Sequence, residues 1–535
     1  MFQFENLQLP NSHVKLIDHG GNDVYHITYS LALRETSIPL IVVNIEEFAK
    51  LSSERGPREA ARQVCFHWLS HVYISCPGMG PPMLAISHID KLTAENLEKS
   101  RKELIEAVEV NRKELLEESQ CSGEIHNTLS NIRHLSDGTQ PVFNEKEIFE
   151  FSNDLNSTSS IDTLKNHINR RCTEYNLVLP LLWEQVDKFI ESQSDKVYLS
   201  LAEVEGNFPE ADVKVILRYM HNSGRIMWFE NLSELENCIF HQISSIAEMI
   251  AQIFHHCSEQ LWRKRLENFS FFYHNGDRIS KDRYEQLVSR FTSTGVLNEA
   301  LLAHLLTTDS QFSLKVSVQL LKSFYILHGP IKDQLEDSYI LPYFAKSYMG
   351  DSWKRDGDLQ LRLDILLEGL TLPKYVFQLM TVVVLNCNAD DVYNPVTVTR
   401  NGATVRTGDM ATHLIHDHNN SKATLQVSCS LKLLERSWRH LLDTVKKIVE
   451  LLSEVWKACR PEIAIYCSHC LFLNNAHPAR DVNPKWLKLI YQSTSSQEVK
   501  ALTTFDSKRV ACESCSTNNS ELKPTVPRPL RVPCK

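Results

Sequence analysis

Glycine is scarce in this chain, 17 among 535 residues, and nowhere do the glycines fall into Gly-x-x-x-x-Gly-Lys-Ser/Thr. The backbone cradle that such a loop forms for β- and γ-phosphates is therefore missing. Kinase chemistry is excluded as well, because no glycine-rich loop, strand lysine, His-Arg-Asp loop and Asp-Phe-Gly follow one another in order. Leucine-rich repeats are absent. No apolar run reaches membrane-spanning length, and the amino-terminal MFQFENLQLPNSH has neither the basic start nor the apolar core of a secretory signal, so a cytoplasmic protein is expected. Neither sign of charge dominates: 57 Lys and Arg face 66 Asp and Glu, a net charge of -9, which excludes a dedicated polyanion binder and leaves no expectation of a nucleic-acid partner. With 42% hydrophobic and 23% charged residues the chain folds rather than stays disordered, and its length calls for three to four domains. The 14 cysteines are mostly single, as at Cys65, Cys257 and Cys459, which suits reduced thiols and not a disulfide framework.

What is present begins at Val14–Val43, VKLIDHGGNDVYHITYSLALRETSIPLIVV. An apolar strand ends in Asp18, Gly20 and Gly21 follow, a polar segment carries Asn22 and Tyr25, and a second strand spans Ile38 to Val43. A carboxylate ending a strand can hold Mg²⁺ through water, a glycine two or three residues on can offer its N–H to a terminal phosphate, and the next side chain can orient a water. The same letters also make an ordinary turn. Downstream, Ala60, Val64, Cys65, Trp68, Leu69 and Val72 fall at helical spacing, and PPMLAISHIDKL supplies a strand ending in Ser87-His88-Ile89-Asp90-Lys91. Asp90 can accept two hydrogen bonds from a guanine edge, or it can cap a helix. Thr93 to Gln120 reads as a long, partly solvated helix; a strand at Ile148–Phe151 then leads to Ser152 and a closing helix from Ile161.

These motifs, in this order, resemble the Roc domain, the Ras-like GTPase module of the Roco family. The family's Asp-Phe-Gly-Gly-Gln switch and following Tyr-His stand here as Asp18-His19-Gly20-Gly21-Asn22 and Tyr25-His26, and its Thr-His-x-Asp base motif as Ser87-His88-Ile89-Asp90. The resemblance implies GTP or GDP with Mg²⁺ as cofactors, Asp18, Gly21, Ser87, His88, Asp90 and Ser152 as nucleotide-binding residues, and Asn22 as the water-orienting residue of hydrolysis. The stretch before Val14 has no room for a first strand, phosphate loop and first helix. The expectation is a Roc domain incomplete at its amino terminus, either a piece of a longer GTPase or a degenerate member that has lost GTP binding.

The following sequence resembles the COR domain of the same family. LVLPLLWEQVDKFI (Leu177 to Ile190) matches its opening, and ADVKVILRYMHNSGRIMWFE matches its helix-turn-strand segment. Gly224 is the expected left-handed helix cap. A similar unit recurs at SLKVSVQLLKSFYILHG and DSYILPYFAKS. In the second half, a strand is expected in LPKYVFQLMTVVVLN (Leu372 to Asn386), a hairpin turned by Asn401-Gly402, a strand in ATLQVSC, and a long helix with Leu431, Leu434, Trp438, Leu441, Val445, Ile448, Leu452 and Val455 on one stripe. The fold class is thus an α/β Ras-like partial domain with a parallel sheet (1–172), followed by an α+β COR domain with a winged-helix-like first half (173–365) and an antiparallel sheet plus long helix in the second (366–460). By the same resemblance the second half mediates a homodimer, and other signalling proteins are the expected partners.

Cys467-x-x-Cys470 and Cys512-x-x-Cys515 lie in a small tail (461–517) ahead of a proline-rich, disordered terminus (518–535). Two such knuckles can complete a tetrahedral thiolate site for structural Zn²⁺, with reduced thiols as the alternative and His469 or His477 able to replace a cysteine. One zinc per chain is expected by elemental analysis of the purified protein, and Cys467→Ser and Cys512→Ser should each abolish it.

Overall fold

A computed structural model describes residues 3–9, 12–18, 33–34, 37–76, 78–121, 141–152, 158–174, 179–256, 271–274, 276–307, 312–333, 336–345, 359–366, 374–387, 396–417, 422–455, 461–466 and 486–490. The chain divides into two compact units, residues 1–248 with 455–459, and residues 249–454 with 460–535.

In the first unit β1 (Gln3–Leu9) and β2 (Ser12–Asp18) form an antiparallel hairpin. Only two residues separate them, the shortest hairpin connection. The expected strand ending in Asp18 is present, but it pairs with β1 and stands outside the parallel sheet. That sheet has the order β3-β4-β5, with β3 at Leu40–Asn44, β4 at Met83–Ser87 and β5 at Ile148–Glu150. The expected strand at Ile38–Val43 is therefore shifted, and IEEF after it starts a helix. Asn44 caps α1 (Ile45–Arg55), its Oδ1 accepting from the amides of Glu46 and Glu47 at 3.0 and 3.2 Å, an arrangement that ends the strand and starts the helix in one residue.

The single helix expected through Ala60–Val72 is interrupted. Gly56, at φ 88°, stops α1, Pro57 opens the short α2 (Pro57–Ala61), and a π turn over Arg62–Phe66 leads into α3 (His67–Ser75). The extra residue of a π turn rotates the stripe, so Ala61, Phe66 and Tyr73 are buried while Val64, Trp68 and Val72 are only half-buried. The long helix α4 (Ala94–Cys121) and closing helix α5 (Thr158–Glu174) lie where expected. Met83, Phe149 and Ile168 form a core with Val14, Ile38 and Leu40 packed on it, so β2 and α5 share one face of the sheet.

The same unit continues with α6 (Leu181–Ser192), β6 (Tyr198–Ser200), α7 (Leu201–Asn207), α8 (Val213–Asn222), β7 (Met227–Trp228), β8 (Cys238–Phe240) and the start, through residue 248, of α9 (Ile243–His256). Its sheet has the order β6-β8-β7. Val186, Ile190, Ile216, Leu217, Met220 and Trp228 fill its core.

The second unit opens with the hairpin β9 (Phe272–His274) and β10 (Asp277–Ile279). A copy of the preceding arrangement follows: α10 (Lys281–Thr294), β11 (Val296–Asn298), α11 (Glu299–Thr307), α12 (Leu314–Ser323), β12 (His328–Asp333) and β13 (Glu336–Ile340), with sheet order β11-β13-β12. Strand, helix, helix and hairpin recur with the same strand order, so the recurrence seen in sequence is a repeated winged-helix-like topology.

The last sheet has seven strands in the order β15-β16-β17-β18-β14-β19-β20: β14 is Leu359–Leu366, β15 Val396–Thr399, β16 Gly402–Thr407, β17 Met410–Asp417, β18 Lys422–Cys429, β19 Glu462–Tyr466 and β20 Trp486–Ile490. The strand expected within Leu372–Asn386 is instead α13 (Lys374–Cys387). Its β-branched run misleads, yet nearly every residue is buried on all sides, which a helix enclosed by its neighbours permits. The hairpin turn is Arg400-Asn401, because Thr399 pairs with Gly402. Gly402 belongs to the strand, where a Cβ would stand 1.9 Å from the carbonyl oxygen of Leu414. The long helix α14 (Leu434–Val455) buries Trp438, Leu441, Val445, Ile448 and Leu452 as expected. The cysteines Cys467, Cys470, Cys512 and Cys515 lie outside the described residues.

Trp438 is 1% exposed, so Trp438→Ala should destabilise the second unit by about 3–5 kcal/mol. Gly402→Ala forces backbone movement and should also lower the midpoint. Chemical denaturation followed by circular dichroism checks both.

Candidate functional site

The parallel register sets Asn44 beside Ser87, so the carboxyl ends of β3 and β4 are level. The Ser87 hydroxyl lies 3.2 Å from the Val43 carbonyl oxygen, to which it donates, and 3.1 Å from His88 Nδ1. His88 has φ 61°, the left-handed region that non-glycine residues seldom adopt. This reversal turns the chain into the 3₁₀ segment Ile89–Lys91, closed by Lys91 N–H donating to the His88 carbonyl at 3.1 Å.

Past β5, Phe151 N–H donates to Ile86 O at 2.8 Å, and Phe151 O accepts from Ile89 N–H at 3.4 Å. The two bonds hold Phe151, the residue before Ser152, against the end of β4 and the start of the Ile89–Lys91 turn. Asp90 keeps 30% of its side chain exposed and lies 3.8 Å from Lys91 Nζ. The open alternative that Asp90 caps the next helix does not hold: Thr93 does so, its Oγ1 accepting from Asn96 N–H at 3.4 Å and its carbonyl from Leu97 N–H at 2.8 Å. Crevices beyond the carboxyl ends of parallel strands are where open α/β sheets hold ligands. The loops at the carboxyl ends of β4 and β5 carry a carboxylate, an imidazole and two hydroxyls, groups able to pair with N–H donors. Of the switch-like residues, Asp18 ends β2, whereas Gly21, Asn22, Tyr25 and His26 lie outside the described residues. No group of His, Cys, Asp and Glu suited to a metal is found among the described residues.

A second feature was not legible in the sequence. Arg34, sixteen positions beyond Asp18 in the chain, lies against the turn that ends α8. Its Nε donates to the His221 carbonyl at 3.3 Å and its Nη1 to the Leu33 carbonyl at 2.9 Å, while its own amide donates to Ser37 Oγ at 3.1 Å. Gly224 has φ 75°, as a left-handed cap requires, and a Cβ there would come 3.2 Å from Arg34 Cγ. His221 Nδ1 accepts from the Trp228 amide at 3.2 Å. Ile17, Leu33 and Trp68 pack together on buried Ala247 of α9. The end of β2 and the segment after it are thereby joined to the first winged-helix-like module by one apolar and one polar contact. An arginine at this position carries no motif; only the three-dimensional neighbourhood gives it a role.

No family model matches the chain, and no curated protein does. Among solved structures, the Methanosarcina barkeri Roco2 RocCORdC bound to GDP superposes with a TM-score of 0.35 and 15% identity, over 64% of this chain and 84% of that one. A superposition this loose leaves the description of the fold resting on the strand orders above.

Burial, and then the Arg34 charge, hold the His221 imidazole below its ordinary range; burial does the same first for His241, His328 and His440. The unfolded chain then binds protons more readily than the folded one. Stability should be full above the ordinary histidine value of about 6.5 and fall as the pH drops below it. Thermal melts between neutral and mildly acidic pH check this, and His221→Gln should flatten part of the dependence.

Proposed function

We propose that this chain is a Roco-type signalling scaffold, in which a Roc-like module with impaired guanine-nucleotide binding is coupled to a COR-like module, and in which the second half of COR, built on the seven-stranded sheet, forms a homodimer in the cytoplasm. The domain limits of 1–172, 173–365 and 366–460, the zinc-binding tail and signalling-protein partners belong to the same proposal. One observation carries it: Arg34, twelve positions beyond the switch-like Asp18 to Asn22 frame, is anchored on the His221–Gly224 turn. A change in that frame would reach the COR-like module through a contact already made, which is what a relay between modules needs. Impaired nucleotide binding is proposed for the chain as given because its 535 residues contain no Gly-x-x-x-x-Gly-Lys-Ser/Thr, and Asp18 and Asp90 supply no cation for the phosphates.

A second reading has its own support. The Ile89–Phe151 hydrogen bond ties the Ser87–Asp90 segment to the strand end that leads into Ser152, which favours the alternative of a guanine-nucleotide-binding GTPase regulated by COR dimerisation, with Mg²⁺ and with Asn22 orienting water, if the chain is part of a longer protein that contains a phosphate loop.

Titration of the chain with GTP and GDP in the presence of Mg²⁺ separates the two. The scaffold reading expects no binding in the micromolar range; micromolar binding that disappears in Asp90→Ala would replace it by the GTPase reading. For the relay, Arg34→Ala should raise amide exchange at Gly224–Trp228, and unchanged exchange there would remove the coupling.

A further inference from the structure

His221 makes two unlike bonds at one turn. Its backbone carbonyl accepts from Arg34 Nε at 3.3 Å, and its ring Nδ1 accepts from the Trp228 amide at 3.2 Å. The second bond fixes the state of the ring. A backbone amide can only donate, so Nδ1 carries no proton and the imidazole is neutral, with its hydrogen on Nε2.

That nitrogen holds the strand β7. Among the described residues the two-residue β7 has β8 as its strand neighbour, Met227 paired with Phe240 and Trp228 with Ile239. The Trp228 side chain lies in the core of the module, and its Nε1 donates to the Glu236 carbonyl at 2.7 Å. The amide bond to His221 therefore ties this core to the end of α8.

The charge that acts on the ring is a cation, Arg34, from the segment before β3. The other charged groups at the turn are matched with carboxylates of their own. Arg218 of α8 donates from Nε to Glu230 at 2.7 Å, and Arg225 donates from Nε to Asp187 of α6 at 3.1 Å, with Glu191 of α6 4.0 Å away. Cys76 at the end of α3 is buried and stands near Arg34. A proton on Nδ1 would remove the acceptor, set two hydrogens against each other and place a second cation beside Arg34.

We propose that His221 is a proton-operated latch, which when neutral fastens both the Arg34 segment and β7 to the end of α8, and when protonated releases both. The inference concerns the contact itself and holds whether or not the chain binds nucleotide. The closed turn binds fewer protons than the open one. Closure is thus complete above the ordinary histidine value of about 6.5 and weakens about tenfold for each pH unit below it, until the ring of the closed form itself titrates.

Amide exchange of the full chain at about pH 7.5 and about pH 5.5, followed by mass spectrometry and expressed relative to intrinsic rates, tests this. Protection of Arg34 and of residues 226–229 should fall about tenfold at the lower pH, while the parallel sheet at 40–44 and 83–87 keeps its protection. His221→Asn puts a non-titrating oxygen in the place of Nδ1 and should abolish the difference. Exchange of the His221 ring C2 hydrogen reports the titration of that residue in the unaltered chain, with a midpoint expected below about 6.5, so the latch is tested even if the variant does not fold. Loss of protection that persists in His221→Asn, a His221 midpoint at or above the ordinary value, or an equal loss in the parallel sheet overturns the proposal.

Discussion

A helix that must hand its chain straight back to a strand has few ways to do so, and this molecule uses one of them twice. At the end of α8 the amide of Arg225 donates to the Met220 carbonyl at 2.9 Å, and at the end of α12 the amide of Ile326 donates to the Leu321 carbonyl at 2.9 Å. Each return pivots on a left-handed residue, Gly224 in the first and Tyr325, at φ 54°, in the second. The wings, the sheets β6-β8-β7 and β11-β13-β12, and the cores they enclose all follow from those pivots. The difference between the two matters. Gly224 leaves open the space in which Arg34 lies, whereas the second turn carries a tyrosine side chain of its own.

The two candidate features of the first unit are connected by sequence as well as by space. The loops at Ser87 to Asp90 and at Ser152 depend on hydrogen bonds between strands in parallel register. The Arg34 contact depends on a turn in a different module. Between them runs β2, whose Val14 packs on the parallel sheet's core and whose Ile17 joins the cluster on Ala247. One strand thus touches both, and its last residue is Asp18.

Much of this was legible in the residues. The stripe of α14, the reversal at Gly224, the recurrence of the helix-to-strand unit and the position of Ser87 to Asp90 after a strand all have local signatures, periodicity or a turn residue, and all were found. The errors share a physical cause, which is that neighbours override local preference. Lys374–Cys387 contains the β-branched run of a strand but is enclosed, and burial on every side suits a helix. The strand expected at Ile38–Val43 runs instead over Leu40–Asn44, where Asn44 ends it by capping the helix that follows. The π turn at Arg62–Phe66 leaves no trace in composition. Strands β14 and β17 carry no alternating signature, because their polar residues, Asp364 and His413, are buried; Asp364, 1% exposed, is held by Arg362 at 3.2 Å, Lys422 at 3.3 Å and Thr424 at 2.7 Å. Alternation says nothing about such pairings.

The placement of β14 has a consequence for how the second unit reaches its native state. Strands β15 to β18 form a meander of neighbours and can assemble from local contacts. β14 precedes them in the chain yet sits beyond β18, with Leu363 paired to Leu425 on one side and Ile465 on the other. The centre of the sheet is therefore closed by residues distant in sequence, and the ordering entropy of those long loops is met before most of the pairing is gained. Loop-closure entropy therefore favours an order in which the meander forms first and β14 and β19 close the sheet afterwards.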